Sequence, residues 1–182
     1  MKIVAIVGSI RKESFNKKLA AFIQSQYEKQ VDIEILPIEK FPMYNQDKEQ
    51  NPMSIVRDTK QKISESDGIL IVTPEYNHSV PGVLKNAIDW FSRVDKVMVN
   101  KPVMIAGGST GILGTARAQM HLRQILNSPG VSALTLPGNE VFIAGIHQKI
   151  DETGKVIDES TIQILDKAIN NFVEWIEKNK ST

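Results

Sequence analysis

The sequence predicts an α/β fold in which helices cover both faces of a five-stranded parallel sheet with strand order 2-1-3-4-5. Two observations favour it. Apolar runs alternate with helical periods along the whole chain, as in successive strand–helix–strand units. The runs also differ in character, because three are apolar throughout, as central strands are, and two alternate with polar residues, as edge strands do.

The strands are expected where apolar residues follow one another or alternate with polar ones. The continuous runs at residues 3–7, 69–72 and 103–106 belong at the centre of the sheet. Residues 31–35 alternate clearly and residues 131–136 partly, so we place these segments at the two edges. The order 3-2-1-4-5-6 of dinucleotide-binding sheets fits less well, because it needs one more strand and buries the second.

Helices are expected between these strands, because apolar residues there recur every three or four positions. The five helical patterns cover residues 15–27, 55–63, 80–91, 118–126 and 162–176. We find no repeat and no interdomain linker, and 182 residues suit one domain. The whole chain, residues 1–182, is therefore predicted to form a single domain.

The composition argues against several classes of protein. A net charge of +1 does not favour a surface for nucleic acids or anionic membranes. The absence of cysteine excludes disulfides, thiolate catalysis and cysteine-ligated metals, and we expect no metal site. No apolar run approaches the ~20 residues of a membrane span, and the first run is too short for a signal peptide. We expect a cytoplasmic protein that binds neither nucleic acid nor membranes.

Three elaborate loops are predicted to meet at one place. In the order 2-1-3-4-5 the crevice lies between strands one and three, beyond their carboxyl ends, where open α/β sheets bind ligands. The first loop (residues 8–16), the second loop (residues 73–82) and the third loop (residues 107–115) all follow strands at this edge. The second loop is more elaborate than a connector requires, so we interpret it as a binding loop.

The first loop, GSIRKESFN, leads from a strand into a helix and is predicted to bind an anion. Its backbone N–H groups and the helix dipole favour negative charge there. Ser9, Ser14 and Asn16 offer side-chain hydrogen bonds, and Arg11 offers a charged one. The alternative is that Ser14 caps the helix and the charges are only solvated. The loop matches neither the dinucleotide fingerprint GxGxxG nor the P-loop GxxxxGK[ST].

The second loop combines a rigid proline, a carboxylate, an aromatic ring and an amide in Pro74, Glu75, Tyr76 and Asn77. A flat heterocycle needs this mixture, because its edge requires hydrogen-bonding groups and its face requires apolar or aromatic contact. His78 follows on the same loop. We expect it to be solvated, and we assign it no role.

The third loop contains GGSTG, which also matches the GxSxG pattern of serine hydrolases. A triad in the required order would need Ser109, Glu140 and His147. No HGGG-type oxyanion segment precedes it, and a hydrolase would leave the first two loops without a function. The other interpretation is that small residues let backbone amides approach the edge of a flat ligand.

Taken together, GSIRKESFN, TPEYNHSVPGVLKNAIDW and GGSTGILGTARAQMHLRQIL resemble the signatures of the NADPH-dependent FMN reductase family. Its flavodoxin-like members include azo-dye, quinone and chromate reductases. The resemblance covers nearly the whole chain and implies a flavodoxin-like three-layer sandwich, bound FMN, and NADPH or NADH as co-substrate. Thr115 departs from the pattern, since many members have glycine there, and Met120 falls where close relatives have tyrosine.

The resemblance also implies which residues bind FMN. Positions in the first loop would surround the phosphate, those in the second loop would line the ribityl chain and ring, and those in the third would close the other side of the ring. The implied FMN-binding residues are Ser9, Arg11, Ser14, Phe15, Asn16, Pro74, Glu75, Tyr76, Asn77, Gly108 and Ser109.

The activity that the resemblance implies is a ping-pong oxidoreduction. NAD(P)H would reduce the flavin, leave, and be replaced by a small-molecule electron acceptor such as a quinone, an azo compound or free flavin. No catalytic side chain is assigned, because hydride transfer to the flavin needs no protein acid or base. The competing interpretation is a flavodoxin-type electron carrier. Flavodoxins typically have a strongly acidic surface and an [ST]xTGxT loop, which this nearly neutral chain lacks.

A homodimer or homotetramer is expected as well. The segment from Pro137 to Ser160 is long for a strand-to-helix connection, and its apolar stretch at residues 141–146 has no evident place in a five-stranded sheet. A second subunit could bury that stretch and cover the flavin. The family resemblance points to dimers that often pair into tetramers. The alternative is that the segment folds back on its own domain.

Overall fold

The computed structural model describes residues 1–180, which form a parallel sheet between two layers of helices. The strands are β1 (Lys2–Val7), β2 (Asp32–Leu36), β3 (Gly68–Val72), β4 (Pro102–Gly108), β5 (Leu134–Thr135) and β6 (Val141–Ile143). The helices are α1 (Phe15–Gln26), α2 (Ser54–Glu65), α3 (Gly82–Phe91), α4 (Ala116–Leu126) and α5 (Glu159–Lys180). Single 3₁₀ turns lie at Ile38–Lys40, Gln46–Lys48 and Ile146–Gln148. None of the helices within residues 1–180 is long and apolar enough to cross a membrane.

The strand order β2-β1-β3-β4-β5 confirms the predicted flavodoxin-like arrangement. Strands β1, β3 and β4 are buried almost throughout, while β2 alternates between buried and accessible residues. This difference follows from position, since a central strand of a doubly covered sheet meets helices on both faces.

Two apolar cores lie on opposite faces of the sheet. Successive side chains of a strand point to opposite faces, so β1 contributes to both. Ile3, Ala5 and Val7 pack with α1 and α5, whereas Val4 and Ile6 pack with α2, α3 and α4. The sheet is therefore fixed from both sides, and the loops at its carboxyl end rest on a rigid base.

The fifth position of the sheet is filled by two short strands, where the sequence predicted one strand over residues 131–136. Residues 131–133 instead complete the turn that ends α4, because the N–H of Val131 bonds to Ser128 and that of Ala133 bonds to Leu126. Strand β5 then pairs with the start of β4. Pro137 has no N–H to continue the ladder, and the chain turns away with positive φ at Gly138 and Asn139.

Strand β6 brings the chain back alongside the end of β4, pairing Ala106 with Val141. The apolar stretch at residues 141–146 is thereby buried in its own domain, with Val141, Ile143 and Ile146 at most 3% exposed. Only Phe142, at 37% exposure, stays accessible among these large apolar residues. The interpretation that the segment folds back on its own domain is confirmed. The premise that this apolar stretch needs a second subunit to bury it is wrong, because β4 and the neighbouring core already bury it.

Candidate functional site

The three predicted loops meet in a cleft of about 280 Å³ at the carboxyl ends of β1, β3 and β4. Ten of the eleven predicted site residues line it, and Asn77 lies outside on the exposed turn beyond Tyr76. Two lining residues were not predicted from the sequence, namely Thr110 and Ile146. The lining residues are Ser9, Arg11, Ser14, Phe15, Asn16, Pro74, Glu75, Tyr76, Gly108, Ser109, Thr110 and Ile146.

The first loop presents hydrogen-bond donors that nothing in the described chain uses. Ser14 is the N-cap of α1, and its Oγ accepts a hydrogen bond from the N–H of Lys17 at 3.3 Å. The backbone N–H groups of residues 9–15 have no acceptor within residues 1–180. Ser9 is only 4% exposed, and its hydroxyl also lacks a partner in that range. Donors that converge at a helix N-terminus favour an anion.

Arg11 adds a positive charge to the cleft. Its guanidinium carbon lies 5.6 Å from the centre of the Phe15 ring, close enough for a cation–π contact. Within the described residues it forms no ion pair, so its charge is available to a ligand.

Asn16 joins the first loop to the third. Its Nδ2 donates to the carbonyl of Gly108 at 2.9 Å, and its Oδ1 accepts from the N–H of Gly108 at 3.0 Å. Strand β3 does not reach as far as Gly108. The last backbone hydrogen bond between this side of the sheet and β4 runs from the N–H of Thr73 to the carbonyl of Ala106. The buried amide of Asn16 therefore takes the place of the missing strand. The sequence indicated a polar contact here but not its partner.

The second loop contains a two-residue hairpin, residues 76–79. The N–H and C=O groups of Tyr76 and Ser79 bond reciprocally, both at 3.0 Å. Asn77 and His78 between them have φ of 50° and 62°, the signs found in a type I′ turn. The hairpin places the half-exposed ring of Tyr76 at the cleft and directs His78 to solvent.

Replacing His78 with glycine is expected to stabilise the protein by about 0.5 kcal/mol. A side chain at positive φ costs about 1–2 kcal/mol, and the extra freedom of glycine in the unfolded chain removes part of that gain. Urea denaturation of both proteins measures the difference. His78→Ala, which keeps a side chain at the same φ, is the matched control and should gain nothing. A destabilised glycine variant would mean that the imidazole makes a contact that the structure does not contain.

The second loop is tied to α4 at two points. Glu75 Oε2 accepts a hydrogen bond from the N–H of Ala118 at 3.1 Å, and Ser79 Oγ is hydrogen-bonded to His121 Nδ1 at 2.8 Å. Ala118 and His121 lie one turn apart on the same helix. Sequence reasoning missed His121, because a histidine 42 positions from its serine partner leaves no local pattern.

The third loop approaches the second closely at Gly107. A Cβ atom there would lie 2.2 Å from the carbonyl oxygen of Thr73 and 2.6 Å from Thr115 Oγ1. Thr115 itself has φ of 76°, in the left-handed region that favours glycine. That conformation explains why glycine suits this position in the family resemblance described above.

Ser109 is not arranged as a hydrolase nucleophile. Its hydroxyl donates to the carbonyl of Gly111 at 3.4 Å, and no histidine within residues 1–180 bonds to it. No group of three or more His, Asp or Glu side chains in the same range is placed to hold a metal ion. The residues that line the cleft offer backbone donors, hydroxyls, the guanidinium of Arg11, the carboxylate of Glu75, the amide of Asn16 and the phenol ring of Tyr76.

Comparisons with known proteins agree on one family. The family model described as NADPH-dependent FMN reductase matches residues 1–148. NADH-dependent flavin reductase subunit 2 of Lactobacillus johnsonii is 43% identical over 183 aligned residues that cover 98% of each chain. A quinone reductase of Escherichia coli strain K12 is 40% identical, covering 99% of this chain and 97% of its own. The solved structure of FerB, a flavoenzyme NAD(P)H:(acceptor) oxidoreductase from Paracoccus denitrificans, has a TM-score of 0.89 with 35% identity and 98% coverage of both chains.

Proposed function

The chain belongs to the NADPH-dependent FMN reductase family, and we propose on this premise that FMN binds in the cleft described above, with its phosphate in the first loop. The protein is an NAD(P)H-dependent oxidoreductase with FMN as cofactor. One observation carries the placement of the phosphate. The backbone N–H groups of Ser9, Arg11, Ser14 and Phe15, the hydroxyl of Ser9 and the charge of Arg11 have no partner among the described residues, and all four residues line the cleft.

The residues present fit the phosphate end of FMN. A phosphate carries negative charge and strong acceptor oxygens, and the cleft-lining residues of the first loop offer free backbone N–H groups, the hydroxyl of Ser9 and the guanidinium of Arg11. Ser9 and Arg11 would contact it directly, together with the backbone amides. Ser14 would contribute through its N–H, since its Oγ already caps α1. Phe15 supports the guanidinium of Arg11 from below.

The residues also fit a flat ring with a polar edge. The N–H groups of Glu75 and Thr110 have no acceptor within residues 1–180, and both residues line the cleft. Pro74 and Tyr76 offer apolar and aromatic surface beside them, while Gly108 and Ser109 bring backbone close on the other side. In this proposal Asn77 acts by fixing the turn that carries Tyr76.

FMN, when bound, supplies the redox chemistry: it takes up a hydride from a reduced nicotinamide and returns two electrons to a second substrate. The residues of this chain bind and orient the cofactor and exclude water from it.

We propose quinones and free flavins as acceptors of this chain. Support comes from relatives about as long as this chain, whose names specify flavin reductase and quinone reductase at 40–43% identity. Tyr76 in the cleft lining is 49% exposed, so the cleft is open to solvent on that side and a planar acceptor can approach a bound flavin from there.

Both steps of this activity are testable in one experiment. We expect the protein to bind FMN at micromolar concentration or below, and anaerobic NADH or NADPH to bleach the flavin absorbance directly. Varying nicotinamide against benzoquinone should give parallel double-reciprocal lines, the pattern of a ping-pong mechanism. If neither nicotinamide bleaches the flavin while a separate reductase does, the protein is an electron carrier.

Arg11→Ala should weaken FMN binding by about tenfold or more, since a charge-assisted contact contributes about 1.5–3 kcal/mol. Fluorescence quenching of FMN by the apoprotein measures the dissociation constant. Lys12→Ala removes a neighbouring exposed charge that does not line the cleft and is the matched control. Equal weakening by both variants would mean that only the general positive field matters.

We propose that the working unit is a homodimer or a homotetramer. The support now comes from the third loop and α4, where Ile112, Leu113 and Met120 are 92%, 42% and 50% exposed. Ile112 and Leu113 are close in sequence to Ser109 and Thr110, which line the cleft. Pairing with a second copy through a two-fold axis is the commonest way to cover such an apolar surface. Sedimentation at micromolar concentration tests this. A fully active monomer would contradict it.

We also propose that the protein works in the cytoplasm, because its co-substrate is a reduced nicotinamide nucleotide of the cell interior. Fractionation of cells that express a tagged copy tests this. Recovery of active protein outside the cytoplasmic fraction would contradict it.

A further inference from the structure

The carboxylate of Glu75 occupies an unusual place between the cleft and α4. It belongs to the second loop, yet its Oε2 accepts from the N–H of Ala118, 43 residues further along the chain. Ala118 is the third residue of α4, so its N–H is one of the four at a helix start that have no partner inside the helix. Glu75 thus supplies from a distance the contact that an N-cap residue normally makes.

The N-cap position of α4 does not serve this purpose itself. Thr115 has left-handed backbone dihedrals and makes no capping bond with its side chain. Its Oγ1 accepts a hydrogen bond from Gln119 Nε2 at 2.9 Å instead. The start of α4 therefore depends on Glu75, and the negative charge of Glu75 is placed where the helix dipole stabilises it. Arg117 Nη1, 3.9 Å from Glu75 Oε1, is half-exposed and contributes little.

A second contact holds the same loop to the same helix. Ser79, at the far end of the 76–79 hairpin, is hydrogen-bonded to His121, one turn beyond Ala118. The hairpin is therefore attached on both sides of Tyr76, by Glu75 before it and by Ser79 after it. Both attachments use α4, and neither uses the first or third loop.

We infer that Glu75 and His121 are positioning residues, which hold the 76–79 hairpin against α4 in the geometry that receives the flavin. This inference rests on the proposed function of the cleft. It assigns to the Glu75 carboxylate a task other than direct contact with FMN, namely the bond to the N–H of Ala118, although Glu75 is also among the residues that line the cleft. A hairpin fixed beforehand loses little conformational freedom when the ligand binds, so the affinity for FMN depends on these contacts.

Variants of Glu75 separate the two tasks. Glu75→Gln keeps an acceptor for the N–H of Ala118 and should weaken FMN binding less than Glu75→Ala does. Glu75→Ala removes the acceptor and should weaken FMN binding by about tenfold. Glu159→Gln is the matched control, because it changes an exposed carboxylate in the first turn of α5 and should have no effect on FMN.

Hydrogen exchange of the apoprotein gives a readout without cofactor or turnover. The backbone amides of Tyr76, Ser79 and Ala118 are bonded in the structure, so they should exchange slowly in the parent and in Glu75→Gln. They should exchange measurably faster in Glu75→Ala. If the parent protein binds no FMN but the three proteins still differ in exchange as described, the proposed function is refuted and the attachment of the hairpin to α4 is supported.

Variants of His121 provide a second test of the inference. His121 does not line the cleft, so a change there can affect FMN binding only through the hairpin. His121→Ala and Ser79→Ala remove the same hydrogen bond and should weaken FMN binding equally, by about threefold. Combined with Glu75→Ala, either should add less than its separate effect, because a hairpin already released cannot be released again.

Two results would overturn the inference. One is a Glu75→Gln variant that binds FMN as weakly as Glu75→Ala while its amides at residues 76–79 exchange as slowly as in the parent, which would make the charge itself a ligand of the cofactor. The other is unchanged exchange at residues 76–79 in Glu75→Ala, which would mean that the contact does not hold the hairpin.

Discussion

Replacing Asn16 with alanine is expected to lower the free energy of unfolding by about 3 kcal/mol and to weaken FMN binding at least tenfold. Two hydrogen bonds of its side chain satisfy the N–H and C=O of Gly108 in a buried environment. Each group left unpaired costs about 1–3 kcal/mol, because neither water nor a neighbouring strand replaces the lost partner. The end of β4 would then move relative to the first loop. Residues of both segments line the cleft, so FMN binding should weaken as well.

The measurement is urea denaturation of the apoprotein together with titration by FMN. Asn170→Ala is a suitable control, since it removes an exposed hydrogen bond to Gln30 and should cost less than about 0.5 kcal/mol. Asn16→Asp adds a sharper comparison. A carboxylate keeps the shape and can accept from the N–H of Gly108, but it cannot donate to the carbonyl. It should therefore be no more stable than the alanine variant near neutral pH. A loss below 1 kcal/mol for Asn16→Ala would contradict the role given to this amide.

Gly107→Ala is expected to destabilise the fold by about 3 kcal/mol, the upper part of the range for overpacked cores. The added methyl group would lie 2.2 Å from the carbonyl oxygen of Thr73, a backbone atom that cannot rotate away. Thr115 Oγ1, at 2.6 Å, blocks the other direction. Either the second loop or the third must shift, so FMN binding should fall together with stability.

Gly82→Ala provides the matched control for this variant. A Cβ at Gly82 meets no atom within 4 Å, and this residue opens α3, where alanine is the better helix former. It should be neutral or stabilising by up to about 1 kcal/mol. Thermal unfolding of the three proteins side by side measures both effects. A Gly107→Ala variant as stable as the parent would show that the loops have more room than the structure contains.

Much of the fold could be predicted because its signals are local. A strand that is apolar at every position is covered on both faces, and one that alternates with polar residues is covered on one face. This difference separated the central strands from the edge strands and so indicated the strand order. The convergence of the three loops then followed from topology. Most residues named in the first two loops line the cleft, and these loops stand out because they carry unusual concentrations of polar and aromatic groups in a short span. Gly108 and Ser109 were named through the family resemblance, and Asn77 does not line the cleft.

What could not be predicted depends on contacts between distant segments. From its sequence, the apolar stretch at residues 141–146 could form either a subunit interface or a strand. It forms a strand because the end of β4 extends beyond β5 and leaves an edge with which β6 pairs. The same holds for Asn16, whose partner is 92 residues away, and for Glu75, whose carboxylate accepts from the N–H of Ala118 at the start of α4. A side chain's type limits what it can bind, but its partner depends on the packing of the whole domain.

The interrupted fifth position of the sheet also bears on how the protein avoids aggregation. An exposed edge strand offers unpaired N–H and C=O groups to other chains, and short or broken edges reduce that hazard. Here one edge consists of β5 with two residues and β6 with three, separated by a turn that begins at Pro137. The opposite edge, β2, carries the charged side chains of Asp32 and Glu34. Neither edge is a long, apolar template, so copies of this chain are not expected to join sheet to sheet, and any assembly must form through helices and loops.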